Sequence, residues 1–426
     1  MITVVIVSFF VLAVIGMPLA FALGVASVAG MLYGGFPPLM LPGKMVHSIN
    51  NYPLMAIPLF MLAGQLMLRG GVMDALIDFA NAIVGRVRGG IAHMTTVAAM
   101  GLSSVSGTAV ADATALGATL GPTLTKAYSR EFGASVVAAA SNMGPIIPPS
   151  AAMIVYAVMA GGNVSIGGLF LAGVVPGLMI GFSIMGLISY LAYRRGYSLT
   201  GEPFTFRALW LQTKRSVIVF MMPVVVIGGI IGGVFTATEG AAVAVVYAAF
   251  IGFFVTRKLK ISHLPAALLD ACIITGMVGA LIAFSSVVTH LFTIELMAQR
   301  LADGLLGLTA EPFVFLLLVM AVLIIVGMFM EANATYVMLA PLLAPLASTY
   351  GIDPIYFGFL FVLNITLGSI TPPVGILLFV VAGIWQLPMT RLIANIWPFI
   401  LVQYGVLALC LLFPAVIMFL PRAFGY

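Results

Sequence analysis

Apolar runs follow one another along almost the whole chain, and one polar stretch, residues 193–215, divides them into two groups of eight. A helix needs about 20 apolar residues to cross a bilayer. Charged residues make up 7% of the chain and hydrophobic residues 63%, whereas soluble domains carry about 25% charged residues. We therefore predict a polytopic membrane protein with roughly ten to twelve crossings. The apolar runs are 2–16, 18–34, 52–68, 91–104, 109–124, 133–147, 149–161, 164–192, 216–232, 238–256, 264–290, 312–330, 334–348, 354–370, 372–385 and 393–420.

Several other classes of protein do not fit this sequence. It contains no GxxxxGK[ST] motif and no soluble stretch long enough for an ATPase domain. The net charge of +5 is not arranged as a basic patch with aromatic residues, so it indicates basic cytoplasmic loops and no nucleic-acid partner. Cys272 and Cys410 lie in apolar runs and resemble neither a disulfide framework nor a metal site. Run 2–16 lacks a charged n-region, so we expect a membrane helix and not a cleaved signal.

Two pairs of apolar runs are typical of re-entrant hairpins. Runs 91–104 and 109–124 are joined by Ser-Gly-Thr, and basic residues flank the pair on both sides. A helix of about 15 residues reaches roughly 22 Å, which is shorter than the roughly 30 Å hydrocarbon core. Runs 312–330 and 334–348 are joined at residues 331–333, and acidic residues flank this pair. The opposite flanking charges predict entry from opposite sides of the membrane, as an inverted repeat requires.

A proline pair follows each predicted hairpin. Residues 142–149 and 366–373 share the pattern polar-x-Gly-x-x-x-Pro-Pro. Proline removes a backbone donor and breaks a helix, and polar main chain inside a bilayer persists only where it lines a cavity or binds something. Half-helix N-termini suit carboxylates, and exposed carbonyl oxygens suit Na⁺. We predict that two broken helices and two hairpin tips form a central binding site.

The predicted fold is an all-α polytopic membrane protein of two inverted repeats, each with a re-entrant helical hairpin and a Pro-broken transmembrane helix. The amphipathic segments 72–88 and 291–303 are predicted to lie in the membrane interface as arms. The first repeat, 1–210, comprises scaffold helices 1–70, arm 72–88, hairpin 89–125, broken helix 132–161 and helix 164–193. The second repeat, 211–426, comprises scaffold helices 216–256, helix and arm 264–303, hairpin 312–348, broken helix 354–385 and helix 393–420.

Small polar residues cluster at both predicted helix breaks. Hard oxygen ligands without His or Cys suit an alkali cation better than zinc. A single serine or glycine more often serves only to let helices pack closely. The repetition at two related helix breaks favours a binding site. The first cluster is Ser103, Ser104, Ser106, Thr108, Asn142, Gly144 and Ser150, and the second is Glu331, Asn333, Asn364, Thr366, Gly368, Ser369 and Thr371.

Four acidic residues are predicted to lie at membrane depth, where such groups are functional candidates. Glu331, at a hairpin tip, is predicted to coordinate a cation or to compensate charge. Asp112, just beyond the first tip, either caps the second half of that hairpin or takes part in function. Glu239 is predicted to cap the helix that starts there, and Asp270 is left without a role.

Five motifs occur in order along essentially the whole chain. They are Ser106–Gly117, Gly144–Ser150, Gly233–Glu239, Gly327–Glu331 and Thr371–Gly375. Together they resemble the large membrane subunit of tripartite ATP-independent periplasmic (TRAP) transporters. The resemblance implies the elevator architecture of the ion-transporter superfamily, with Na⁺ as the coupling ion and no other cofactor. It also implies a transporter and not an enzyme.

The resemblance also implies partners and a location. We expect a small four-helix membrane subunit on a separate chain, because no extra helices precede residue 1, and a periplasmic substrate-binding protein. The binding protein would deliver an organic anion such as a C4-dicarboxylate or sialic acid to the bacterial cytoplasmic (inner) membrane, whose lipid surrounds the chain. The family's two sodium sites carry over onto Ser103, Ser106, Asn142, Gly144, Glu331, Asn333, Thr366 and Gly368. Predicted substrate-binding residues are Ser104, Thr108, Pro149, Ser150, Asn364, Thr371, Pro372 and Pro373.

Three alternatives remain open at this stage. A Na⁺/dicarboxylate symporter or exchanger could work without a binding protein. An intramembrane enzyme would need His, Asp or Cys residues that converge at membrane depth, and no HExxH or GxGD-type arrangement occurs. A channel would need no inverted pair of cation-binding helix breaks. The favoured prediction is sodium-coupled uptake of a small organic anion by an elevator mechanism.

Overall fold

The computed structural model describes residues 1–84, 86–162, 164–200 and 205–426, which form helices and one short two-stranded sheet. Gly85, in the predicted arm, and residues 201–204, in the predicted polar stretch, lie outside the described residues. Within the described residues, six helical segments are long and apolar enough to cross a membrane. They are Tyr52–Arg69, Ile166–Arg194, Ala237–Val255, Ile261–Ile294, Pro312–Phe329 and Met389–Leu412.

The last three helices of the first half follow serine residues, which suit a helix start. These are Ser129, Ser150 and Ser165, and each hydroxyl accepts from the backbone N–H three residues on. The elements are α1 (Ile2–Val14), α2 (Leu19–Tyr33), α3 (Met40–Ile49), α4 (Ala56–Arg69), α5 (Val72–Val84), β1 (Val87–Arg88), α6 (Gly90–Ser106), α7 (Ala109–Ala127), α8 (Arg130–Ser141), α9 (Ala151–Met159) and α10 (Ile166–Arg194).

The second half contains the capping box that the sequence predicts. Thr236 and Glu239 exchange side-chain and backbone hydrogen bonds at the start of α12, so the capping role predicted for Glu239 is confirmed. The elements are β2 (Leu199–Thr200), α11 (Phe206–Ile231), α12 (Ala237–Phe250), α13 (Leu264–Ile294), α14 (Met297–Leu308), α15 (Pro312–Phe329), α16 (Ala332–Thr349), α17 (Pro354–Gly368), α18 (Ile376–Trp385), α19 (Met389–Leu412) and α20 (Ala415–Ala423).

Both predicted arms have different bounds in the structure. The arm helix of the first half ends at Val84, because residues 87–88 pair antiparallel with residues 199–200. That pairing joins distant parts of the chain and leaves no local signal. The predicted second arm, 291–303, is also wrong at its start, because α13 continues through the apolar residues up to Ile294.

The last predicted helix is two helices. The sequence predicts one run over 393–420, but α19 ends at Leu412 and α20 begins at Ala415. Phe413 leaves the helical conformation with φ −123° and ψ 82°, because the residue before a proline is disfavoured in a helix and Pro414 follows it.

The helical path breaks at both proline pairs. In the first half α8 and α9 are separated by residues 142–150, and in the second half α17 and α18 are separated by residues 369–375. The peptide bonds Pro148–Pro149 and Pro372–Pro373 are both cis. Two breaks at corresponding points of the two halves leave main-chain groups outside regular helix at the centre of the fold.

The helices that lead into the two breaks form the centre of the core. Every residue of Phe132–Ser141 in α8 and of Ile355–Gly368 in α17 is buried. Such helices, apolar on all sides, are expected only where other helices surround them. Helices α7, α18 and α19 pack around α8, while α4, α12, α13 and α2 pack against one another as a second group. The breaks therefore lie at the ends of helices that are buried inside the protein.

Candidate binding site at the helix breaks

The first hairpin turns at Gly107, between α6 and α7. Gly107 has a φ of +64°, a left-handed conformation that favours glycine. A Cβ atom added to Gly107 would lie 2.9 Å from the carbonyl oxygen of Pro149. The turn therefore requires glycine both for its backbone conformation and for its contact with the first proline pair.

Asp112 joins the two helices of the first hairpin. The Ser103 hydroxyl donates to Asp112 Oδ2 at 2.9 Å, and the Ser106 hydroxyl donates to Asp112 Oδ1. All three side chains are buried. Asp112 lies one turn inside α7, which begins after Thr108, so its carboxylate reaches back over the tip to α6. The alternative that Asp112 caps the backbone of α7 is wrong, since its described hydrogen bonds go to these hydroxyls.

A glycine in each half lets the broken helix touch its hairpin. A Cβ atom added to Gly144 would lie 2.7 Å from the carbonyl carbon of Thr108. A Cβ atom added to Gly368 would lie 2.6 Å from Cα of Gly327. Real Cβ atoms essentially never approach backbone so closely. These two glycines occupy the same place in the shared polar-x-Gly pattern, and each lies against its hairpin, at the tip in the first half and inside α15 in the second.

The two broken helices meet at Asn142. The Ser369 hydroxyl, in the second break, donates to Asn142 Oδ1 at 3.0 Å. Asn142 Nδ2 donates to Gln403 Oε1 at 3.0 Å, and Gln403 Nε2 donates to the Ala139 carbonyl at 3.1 Å. Gln403 is fully buried in α19. It fixes which side of the Asn142 amide faces the second break, and its signal in the sequence is an amide inside the apolar run 393–420.

The second hairpin turns at Glu331, which is the N-cap residue just before α16. Glu331 Oε2 accepts from the backbone N–H of Ala334 at 2.9 Å, and Oε1 accepts from Asn333 Nδ2 at 2.7 Å. Nearby, the Thr366 hydroxyl donates to the Val362 carbonyl at 2.7 Å and lies 3.4 Å from the Tyr336 hydroxyl. The four residues predicted for the second sodium site thus lie on the tip, on α17 and on their contact.

The predicted substrate-binding hydroxyls make local hydrogen bonds. Ser104 donates to the Gly101 carbonyl at 2.7 Å, and Ser150 donates to the Pro145 carbonyl at 2.6 Å. Thr371 donates to a carbonyl of α17 at 2.7 Å and lies 3.1 Å from the hydroxyl of Tyr404 in α19. No local pattern singles out Tyr404, because a lone tyrosine in an apolar run is common in membrane helices.

The remaining predicted substrate-binding residues differ in exposure. Asn364 is buried, and its Nδ2 donates to the Met320 carbonyl at 3.0 Å while its Oδ1 has no described partner. Pro149 is buried against the first tip, whereas Pro372 is half-buried and Pro373 is exposed. These predicted residues therefore range from fully buried to exposed.

A cavity of about 1150 Å³ lies between the hairpins and the second group of helices. Its walls come from α2, α4 and α13 on one side and from α7 on the other, and the side chains of Thr108, Glu331 and Asn333 reach it from the two tips. Arg69 and Asp270 also line it and form an ion pair, with 2.6 Å between Nη2 and Oδ2. Asp270 thereby gains a partner, and Arg69 is a residue that the sequence reasoning missed.

The donor set at the helix breaks is made of oxygens. Hydroxyl, amide and carboxylate oxygens are the ligands that hard cations prefer. Among the described residues, no group of three or more His, Cys, Asp or Glu side chains is placed to hold a metal ion. The site can therefore offer hydroxyl, amide and main-chain oxygens, together with one carboxylate at each tip.

Comparisons with known proteins agree on one family. The family described as "Tripartite ATP-independent periplasmic transporter, DctM component" matches residues 6–416. The chain is 39% identical to the C4-dicarboxylate TRAP transporter large permease protein DctM of Pseudomonas aeruginosa over 384 residues, which cover 90% of this chain and 89% of that protein. It is 34% identical to the sialic acid TRAP transporter large permease protein SiaM of Vibrio cholerae, with 96% of each chain covered.

The fold is also similar to those of solved structures. The YdaH transporter of Alcanivorax borkumensis aligns with a TM-score of 0.64, covering 87% of this chain and 86% of that chain at 16% identity. At this identity the likeness concerns the fold alone.

Proposed function

The chain belongs to the DctM family of tripartite ATP-independent periplasmic transporters, and we propose that it takes up a small organic anion by sodium-coupled secondary transport. A TRAP large permease is a transporter and not an enzyme, so an intramembrane enzyme is no longer an alternative. The proposed substrate is a carboxylate, because relatives are named for C4-dicarboxylate and for sialic acid.

One observation carries this proposal: each broken helix lies against its hairpin, and the tips of both hairpins line a cavity of about 1150 Å³. Such irregular main chain is tolerated at membrane depth where it lines a cavity or holds a ligand. The cavity exceeds the roughly 300–1,000 Å³ typical of small-molecule sites, so a small organic acid would fit with accompanying water.

The two proposed sodium sites take their oxygens from corresponding places in the two halves. The first uses the tip of α6 and α7 and the break after α8, and the second uses the tip at Glu331 and the end of α17. Binding Na⁺ there neutralises part of the charge of the anion, which lowers the cost of moving it through a medium of low dielectric constant. The residues are those predicted from the sequence: Ser103, Ser106, Asn142, Gly144, Glu331, Asn333, Thr366 and Gly368.

In the proposed elevator cycle the hairpins and broken helices move as one body. The packing supports this division, because α7, α8, α18 and α19 contact one another and the cavity separates α7 from α4 and α13. The second group of helices would stay in the membrane as a scaffold. The proposed partners are a small membrane subunit and a periplasmic binding protein, and the proposed location is the bacterial inner membrane.

The decisive experiment measures uptake in proteoliposomes that contain this chain and its small membrane subunit, with the substrate-loaded binding protein outside. Succinate and N-acetylneuraminate are the first probes. We expect accumulation under an inward Na⁺ gradient and none when K⁺ replaces Na⁺. Equal uptake in both salts would refute sodium coupling. Equal uptake of free substrate without binding protein would instead favour a symporter that needs no such partner.

A further inference from the structure

Arg69 is the one positively charged side chain among the described residues that line the cavity. It is the last residue of α4, and Gln65, one turn earlier on the same face, lines the cavity with it. The negatively charged lining residues are Asp270 and Glu331. An organic anion that enters this cavity therefore meets a single fixed cation on the protein.

The guanidinium of Arg69 is only partly used. Its Nη2 donates to Asp270 Oδ2 at 2.6 Å, and its Nε is buried without a described partner. A guanidinium carries five N–H donors arranged to hold a carboxylate through two parallel hydrogen bonds. The described contact with Asp270 uses one of these donors, so the capacity for a bidentate partner remains.

Both members of this ion pair are accessible from the cavity. The Arg69 side chain is 32% exposed and that of Asp270 is 43% exposed. A pair so exposed contributes little to stability, because water screens it. Exchange of the Asp270 carboxylate for another carboxylate consequently costs little, and the cavity is wide enough to bring one there.

We propose that Arg69 binds the carboxylate of the transported acid, and that Asp270 holds the guanidinium until the acid displaces it. This proposal rests on the proposed function and adds to it the residue that recognises the anion. Asp270 acts as an internal competitor: it keeps Arg69 paired in the empty cavity. Arg69 belongs to α4, which is part of the proposed scaffold, so the acid would bridge the scaffold and the hairpin tips in this conformation.

The test uses the detergent-purified complex of this chain with its small subunit, in NaCl. Binding is measured as the ligand concentration that gives half of the maximal rise in melting temperature. The ligand is succinate or N-acetylneuraminate, whichever the wild-type proteoliposomes accumulate, extended to a carboxylate panel if they accumulate neither. We compare Arg69→Gln, Arg69→Lys, Asp270→Asn and the double variant R69Q/D270N with the wild type.

We expect Arg69→Gln to raise the half-maximal concentration about tenfold or more, because charge-assisted hydrogen bonds are lost. Arg69→Lys should have an intermediate effect, since it keeps the charge without the planar fork. Asp270→Asn should lower the half-maximal concentration, because the competitor is gone, and R69Q/D270N should resemble Arg69→Gln. The matched control is Arg391→Gln, which removes the arginine of a pair with Glu131 away from the cavity lining and should leave binding unchanged.

Two results would overturn the proposal. One is unchanged ligand binding in Arg69→Gln. The other is equal weakening in both single variants with recovery in the double variant, which is the behaviour of a pair that only joins α4 to α13. Neither result depends on sodium coupling, because the wild-type uptake assay tests that separately.

Discussion

The first hairpin carries its carboxylate, Asp112, inside the helix that follows the tip, whereas the second carries its carboxylate, Glu331, at the N-cap residue just before the helix. Asp112 is buried and accepts hydrogen bonds from two hydroxyls of α6, so it joins the two helices of the hairpin, α6 and α7. Glu331 accepts only within its own turn and lines the cavity. The difference teaches that a carboxylate near a hairpin tip can take either of two places: Asp112 joins the two helices of its hairpin, and Glu331 faces the cavity.

The packing of the two hairpins also differs. Helices α6 and α7 pack along each other, whereas α15 packs mainly against α17 and touches α16 little. The close packing of α6 and α7 therefore lets a carboxylate of one helix reach the other in the first hairpin. The second tip depends on its contact with the broken helix, through Gly327 and Gly368.

The largest effect is expected where the two halves are alike. Gly144→Ala and Gly368→Ala each push a Cβ atom into backbone, so each should cost about 3 kcal/mol of stability and nearly abolish uptake. Gly186→Ala in α10 is the control, because a Cβ atom added there meets nothing within 4 Å. Melting curves and uptake would be measured together. Normal uptake by either variant would show that its hairpin does not need the close contact.

A smaller effect on stability is expected at the first tip. Asp112→Ala leaves the buried hydroxyls of Ser103 and Ser106 without their acceptor, and we expect a loss of about 2 kcal/mol. Chemical denaturation in detergent, monitored by circular dichroism, measures this loss. Ser183→Ala removes a local bond to Ile180 and serves as the control. If Asp112→Ala were as stable as this control, the proposed stabilising role of the Asp112 hydrogen bonds would be wrong.

The smallest effect on stability is expected at the second tip. The same substitution should have a larger effect on the sodium concentration that uptake requires. Glu331→Gln keeps an oxygen that can accept from Ala334, so folding should change by less than about 1 kcal/mol. Removal of the charge should raise the sodium concentration for half-maximal uptake about tenfold. Initial rates measured against sodium concentration at saturating substrate test this. An unchanged sodium dependence would show that Glu331 does not bind the cation.

Some features of the site followed from the sequence because they depend on nearby residues. The breaks around Pro148 and Pro372 follow from the missing backbone donor of proline, and the cap at Glu239 follows from a pattern of four residues. The predicted bounds of the two arms and of the last helix differ from those in the structure. The strand pairing of residues 87–88 is non-local, and the break at Phe413 was hidden in a long apolar run.

By itself, the sequence determined that this chain is a membrane protein. It also determined the positions of the helix breaks and the residue types that surround them. Apolar length and proline chemistry act over a few residues, so they can be read along the chain. Only the tertiary structure decided which polar groups meet. More than two hundred residues of the chain separate the partners of these pairs: Asn142 with Gln403, Asn142 with Ser369, and Arg69 with Asp270. Such pairings depend on how whole helices pack, and no local pattern encodes that geometry.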